Sequence, residues 1–177
     1  MRSQKNYSEK KAKNPWYTVF YAIIKGWIWI TPMIIGVTGP RVLTPQQQHQ
    51  ASQDLKALTT TATALHAGDA LGLDALARAI ATSSSVPLHE HNTQGRRPWQ
   101  LQQRSKRLVE ALAAAGGTLH AWPNKPCPAG LTPSSWKGSG TWGTVRYAVA
   151  LGVPVELHPL AEFVRPEWLA QKQLALF

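Results

Sequence analysis

Three glycine-bearing turns and a set of arginines are the residues in this chain best suited to chemistry, and the chemistry they suit is holding a phosphate. Gly138-Ser139-Gly140-Thr141 opens a helix that runs to Leu151. Backbone amides, a hydroxyl and the positive end of a helix dipole fall together there. Gly68-Asp69-Ala70-Leu71-Gly72-Leu73-Asp74 puts a glycine pair where a strand turns into a helix, which again aims amides at an anion. Asp74, in the first turn, also complements the helix dipole. Thr38-Gly39-Pro40-Arg41 sets a glycine where backbone can approach a phosphate, beside an arginine whose planar fork can grip one. Arg96, Arg97, Arg104 and Arg107 add positive charge that serves either a ligand or a solvated helix face. Each turn read alone is also an ordinary cap or loop.

Other reactive side chains are fewer. His89 and His91 share a strand face, but two imidazoles without a third ligand at convincing spacing do not make a metal site, and none is expected. Cys127, the single cysteine, has no neighbour to lower its pKa and allows no disulfide within the chain. A reducing, cytoplasmic setting is the simplest expectation.

The elements that would position these residues alternate. Met33–Val37 reads as a buried strand, and Thr44-Pro45 as the cap and first residue of a helix ending at Thr59-Thr60-Thr61. Thr63–Ala67 is a second strand, followed by a helix with Leu73, Leu76, Ala77 and Ile80 at helical spacing. Ser85–His91 is a weaker third strand that Pro87 assigns to a sheet edge. Trp99–Ala115, stopped by Gly116-Gly117, is a helix, and Thr118–Trp122 a fourth strand. A Pro-, Gly- and Ser-rich loop from Pro123 to Ser139 then leads into a helix over Thr141–Leu151 and a fifth strand over Val153–Leu157. This order predicts an α/β, Rossmann-like three-layer αβα fold with a mainly parallel five-stranded sheet, its ligand at the carboxyl ends of the strands. Four loops would meet there: Thr38–Thr44, His66–Gly72, His91–Pro98 and Pro123–Thr141.

The 177 residues suffice for one such domain, and 44% hydrophobic residues exclude a disordered chain. The net charge of +10 suggests nucleic acid until it is divided along the chain, because residues 1–32 carry six Lys/Arg against Glu9 alone. Residues 33–177 carry thirteen against eight acids, a balance that suits a small anion as well as a polynucleotide. The aromatic run Trp16–Ile30 is interrupted by Lys25 and ended by Pro32, too short for a stable membrane span. Residues 1–32 are therefore expected to be a basic, aromatic extension, with three readings open: a start assigned upstream of the true one near Met33, an interfacial anchor, or a docked helix. Residues 33–160 form the domain and 161–177 a C-terminal tail expected to be helical.

Taken in order, Thr38-Gly39-Pro40-Arg41, Gly68-Asp69-Ala70-Leu71-Gly72-Leu73-Asp74-Ala75-Leu76-Ala77, Arg104-Ser105-Lys106-Arg107 and Gly138-Ser139-Gly140-Thr141 resemble the successive motifs of the SLOG superfamily. That group unites Smf/DprA proteins, LOG-type proteins and nucleotide-sensor domains, and the resemblance spans about Met33 to Leu160. It implies a Rossmann-like sheet whose glycine loops hold the phosphates or ribose of a nucleotide-derived ligand. Gly39, Arg41, Gly68, Asp74, Gly140 and Thr141 match the family positions. Pro40 stands where a serine is common and Asp69 where a second glycine is frequent. With Asp69, Gly72, Arg104, Gly138 and Ser139 they make up the expected binding residues, and no cofactor is implied. The LOG hydrolase motif ends in a glutamate, and that position here holds Thr144 or Tyr147, leaving Glu90 and Glu110 as substitutes only if the fold brings them in.

The expected function is binding, in a sensing rather than a catalytic role, of a nucleotide or nucleotide-derived small molecule. Single-stranded DNA binding of the Smf/DprA type is the second reading, with Trp99 and Trp136 to stack bases. A nucleoside-monophosphate phosphoribohydrolase is the third. A homodimer stays open.

Overall fold

The computed structural model describes residues 32–95, 97–135 and 140–169. The N-terminal extension up to Thr31, Arg96, Trp136, Gly138, Ser139 and the end of the C-terminal tail lie outside the described residues. The elements run β1 (Ile34–Thr38), α1 (Pro45–Thr59), β2 (Ala64–Gly68), α2 (Leu73–Ser83), β3 (Leu88–His91), α3 (Pro98–Ala115), β4 (Thr118–Ala121), α4 (Gly140–Ala150) and β5 (Val155–Leu157).

Helix starts and stops follow their local chemistry. Thr44 caps α1 by accepting from the Gln47 amide while the Gln47 side chain returns to the Thr44 amide, and Pro45 takes the first helical position, where its missing N–H loses nothing. Gly116 ends α3 in the left-handed conformation. The third strand begins at Leu88 rather than Ser85, because Ser85 has φ 56° and Pro87 brings no donor to the ladder.

All the strand pairs are parallel and the order is β3-β2-β1-β4-β5. Strand β1 is therefore central, and chain direction across the sheet reverses between β1 and β4, the point where open α/β sheets leave a crevice. Helices α1 and α2 cover one face through Ala51, Leu55, Leu73, Ala77 and Ile80, packed on Ile35, Val37, Leu65 and Ala67. Helices α3 and α4 cover the other through Leu108, Val109, Leu112, Trp142 and Val145, packed on Leu119, Ala121 and Val155. The result is the expected three-layer arrangement, each layer held by its own apolar cluster. Phe163, Trp168 and Leu169, beyond β5, pack on the second cluster.

Candidate binding site at the β1/β4 switch point

A cavity of about 500 Å³ opens at the carboxyl ends of β1 and β4. Its floor is Thr38 and Gly39 from the end of β1, and Pro40, Arg41 and Val42 form one wall. Pro98, Leu101, Gln102, Arg104 and Ser105 of α3 form another, and Pro123, Asn124 and Lys125 follow β4 along a third. The amino end of α4 closes it with Gly140, Thr141, Trp142 and Thr144, while Ala70 and Asp74 reach in from the β2–α2 side. All four expected loops thus contribute to one concavity, together with a face of α3.

Of the expected residues, Gly39, Arg41, Asp74, Arg104, Gly140 and Thr141 line this cavity. Gly68, Asp69 and Gly72 stand outside its lining, and Gly138 and Ser139 lie outside the described residues. The glycines of the second turn serve packing. A Cβ on Gly68 would lie 2.4 Å from the Asp74 carboxylate and 2.8 Å from the Arg104 guanidinium, so only glycine lets that pair sit on the end of β2. At the start of α2 the Leu73 amide donates to the Pro40 carbonyl at 3.0 Å, so this amide braces the β1 loop.

Asp69 and Asp74 both face Arg104, at 2.8 and 3.3 Å. Asp69 also accepts from the Thr93 amide (2.7 Å) and the Thr93 hydroxyl (2.8 Å), which ties the β3–α3 loop to the end of β2. Although burial works to raise it, the Thr93 amide, Arg104 and the Thr93 hydroxyl together hold the Asp69 carboxyl well below the usual carboxylate range. Burial pushes Asp74 the other way, up, against the opposing pull of Arg104 and the Ala70 amide. Arg104 is thereby fixed in place and its charge largely met by protein. Arg107 turns elsewhere and donates to the Asn92 carbonyl at 2.7 Å.

Sequence reasoning placed the Pro123–Thr141 loop at the site but named none of Pro123, Asn124 and Lys125 among its binding residues. The Lys125 carbonyl accepts from the Trp142 indole at 2.9 Å, Leu131 is buried, and Arg146 donates to the Pro133 carbonyl, so residues 123–135 are pinned to α4 although rich in loop formers. This holds the Lys125 backbone at the cavity wall. Gln102 and Ser105 had a legible signal: with Pro98 and Leu101 they fall on one face of α3 at helical spacing. Glu90 pairs with Arg78 at 3.9 Å and Glu110 accepts from Tyr147 at 2.8 Å; neither lines the cavity. Thr144 does line it, with its hydroxyl donating to the Gly140 carbonyl at 2.8 Å.

His89 and His91 gain a third imidazole the sequence had not connected to them. His66 stacks on both, with centroids 4.6 and 5.2 Å apart, and its Nδ1 lies 3.0 Å from His91 Nε2. Burial, with His89 and His91 beside it, lowers the His66 pKa to about 4. An unfolded histidine titrates near 6.5, so between about pH 6.5 and pH 4 the unfolded chain holds more protons than the folded one. Stability is therefore expected to fall as pH drops through that window, by roughly 3 kcal/mol at most for one imidazole. Urea midpoints measured from neutral to acid pH check this, and His66→Gln should make the profile shallower, with His120, whose pKa burial also lowers to about 4, keeping part of the slope. An equally steep profile in that variant would assign the effect to other groups.

No protein-family model matches the chain, and no curated protein matches it in sequence. Among solved structures it is similar to DNA processing protein A from Helicobacter pylori, with a TM-score of 0.50 and 12% identity over 83% of this chain and 74% of that one. The two share a fold. DNA processing protein A (DprA) from Streptococcus pneumoniae also matches, at a TM-score of 0.42 and 12% identity, over 84% of this chain and 62% of that one. The Helicobacter structure was described for its single-stranded DNA binding mode. No helix of the described residues is long and apolar enough to cross a membrane.

Proposed function

We propose that the switch-point cavity binds the phosphate-bearing part of a nucleotide or nucleotide-derived small molecule. The observation that carries this reading is the convergence of Arg41, Lys125 and the amino end of α4 on one cavity. Two cations and a helix dipole favour an anion there, and about 500 Å³ lies in the range of small-ligand sites. The role is binding rather than hydrolysis: Asp74 is the one carboxylate among the described lining residues, and it is buried against Arg104.

Calorimetric titration with nucleoside mono-, di- and triphosphates and dinucleotides tests the reading. Arg41→Ala and Lys125→Ala are each expected to weaken the tightest member at least about tenfold, since a hydrogen bond to a charged group is worth about 1.5–3 kcal/mol. Absence of binding across the panel, or affinity indifferent to both substitutions, overturns it.

Single-stranded DNA is the second reading, favoured by Trp99. This indole is 53% exposed in the first turn of α3, next to Pro98 and Leu101 of the cavity wall, where it offers a stacking platform. Here the cavity would take one phosphate of a strand and Trp99 a base. Fluorescence anisotropy of a labelled oligonucleotide separates the two: Trp99→Ala should lower oligonucleotide affinity by about 1–3 kcal/mol while leaving mononucleotide affinity unchanged.

A further inference from the structure

On the sheet face opposite α3, away from the cavity, three polar side chains meet in a way the phosphate site does not use. His120 of β4 and Glu156 of β5 stand opposite each other in register, and His158 follows β5 with its amide fixed to the Ala121 carbonyl at 2.8 Å. His120 Nδ1 lies 3.0 Å from His158 Nε2 and 3.5 Å from Glu156 Oε2. One donor atom from each of the three residues lies within 4.8 Å of the others.

We propose that His120, Glu156 and His158 form a binding site for a divalent transition cation of the zinc class, with a fourth coordination position open to solvent.

The two separations from His120 Nδ1 suit a small tetrahedral ion, and the third donor pair lies within 4.8 Å. Ligand bonds of about 2.0–2.1 Å place donor atoms about 3.3–3.4 Å apart along a tetrahedral edge, between the two separations measured. Two imidazoles and a carboxylate select zinc-like ions over magnesium or calcium, which take oxygen ligands. His158 has outer support of the kind such ligands use. The other ring nitrogen of His158 faces the Asp54 carboxylate at 4.0 Å, and Asp54 is itself held by the Trp122 indole N–H at 3.0 Å. A carboxylate behind a histidine orients the ring and leaves its far nitrogen as the electron donor. Trp122 stacks on His158 with centroids 4.4 Å apart, which fixes the ring plane. His120 is 1% exposed, and the polar contacts of its ring among the described residues are made through Nδ1, toward His158 and Glu156. Glu156, 62% exposed, provides the entry path.

The occupied site would brace β4 to β5 immediately before Pro123-Asn124-Lys125 of the cavity wall. It stands independently of the phosphate reading.

The test uses the full chain, stripped with chelator and titrated with Zn²⁺ by calorimetry and with Co²⁺ by visible absorption. One equivalent of metal and the intense ligand-field bands of tetrahedral cobalt are expected. His120 belongs to the core and its replacement risks the fold, so the decisive variants are Glu156→Gln and His158→Gln, each expected to weaken binding at least about tenfold, with Asp54→Asn weakening it about 10–100-fold through His158. His89→Gln should leave binding unchanged. Absence of stoichiometric binding, or affinity retained in both Glu156→Gln and His158→Gln, overturns the proposal and leaves the cluster as a hydrogen-bonded chain.

Discussion

Arg104→Ala is expected to destabilise the domain by about 3 kcal/mol, the cost of breaking a buried ion pair by removing one partner. The side chain is 14% exposed and faces both Asp69 and Asp74, so its loss leaves two carboxylates close together, one of them almost wholly buried. Thermal unfolding should show a fall of roughly 10 °C for a domain of this size. Two further outcomes identify the cause. The deficit should shrink as pH is lowered and the two carboxylates protonate, since the variant's native state then holds protons more tightly than the unfolded chain. Adding Asp74→Asn should recover part of the stability by removing the charge left unpaired. A loss below about 1 kcal/mol would place Arg104 with ordinary surface ion pairs.

Gly72→Ala is expected to cost a similar amount by another route. Gly72 has φ 73° and ψ −123°, a conformation other residues reach only with about 1–3 kcal/mol of strain. A Cβ there would stand 2.4 Å from the Pro40 carbonyl oxygen and 2.5 Å from that of Arg41, and backbone cannot swing aside as a side chain can. The β1 loop must move, which adds about 1–3 kcal/mol of overpacking. Gly116→Ala is the control: its φ is also positive, at 66°, but nothing lies within 4 Å of its Cβ position, so only about 1 kcal/mol of backbone strain is expected. Equal unfolding midpoints for the two variants would show that the contact with the β1 loop contributes nothing.

Those two residues also mark what was legible in the sequence. Element order and strand direction could be read because a parallel sheet covered on both faces writes short apolar runs between amphipathic helices. Boundaries moved by a few residues at most where turn chemistry was plain, as at Thr44-Pro45 and Gly116. The cavity lining was legible where a residue sits at or just beyond a strand or helix end, as Gly39, Arg41 and Thr141 do. The role of Gly72 was not, because a glycine that admits a phosphate and one that admits a neighbouring backbone look alike in one dimension. The pairing of Arg104 with Asp69 was not legible for the same reason: it depends on which face of α3 meets a residue 35 positions away. His120, Glu156 and His158 were silent because the register of β4 against β5 brings them together, and no local pattern records register.

The short outer strands constrain how two copies of the described domain could meet. β3 has four residues and carries His89, Glu90 and His91, and β5 has three. Pro87 precedes β3, while Pro154 and Pro159 flank β5, so each border offers few donors for a visiting strand. Continuation of the sheet from one copy into the next is thus disfavoured at both borders. Self-association of this domain would have to run through helix faces, with side chains setting its specificity in place of a backbone ladder.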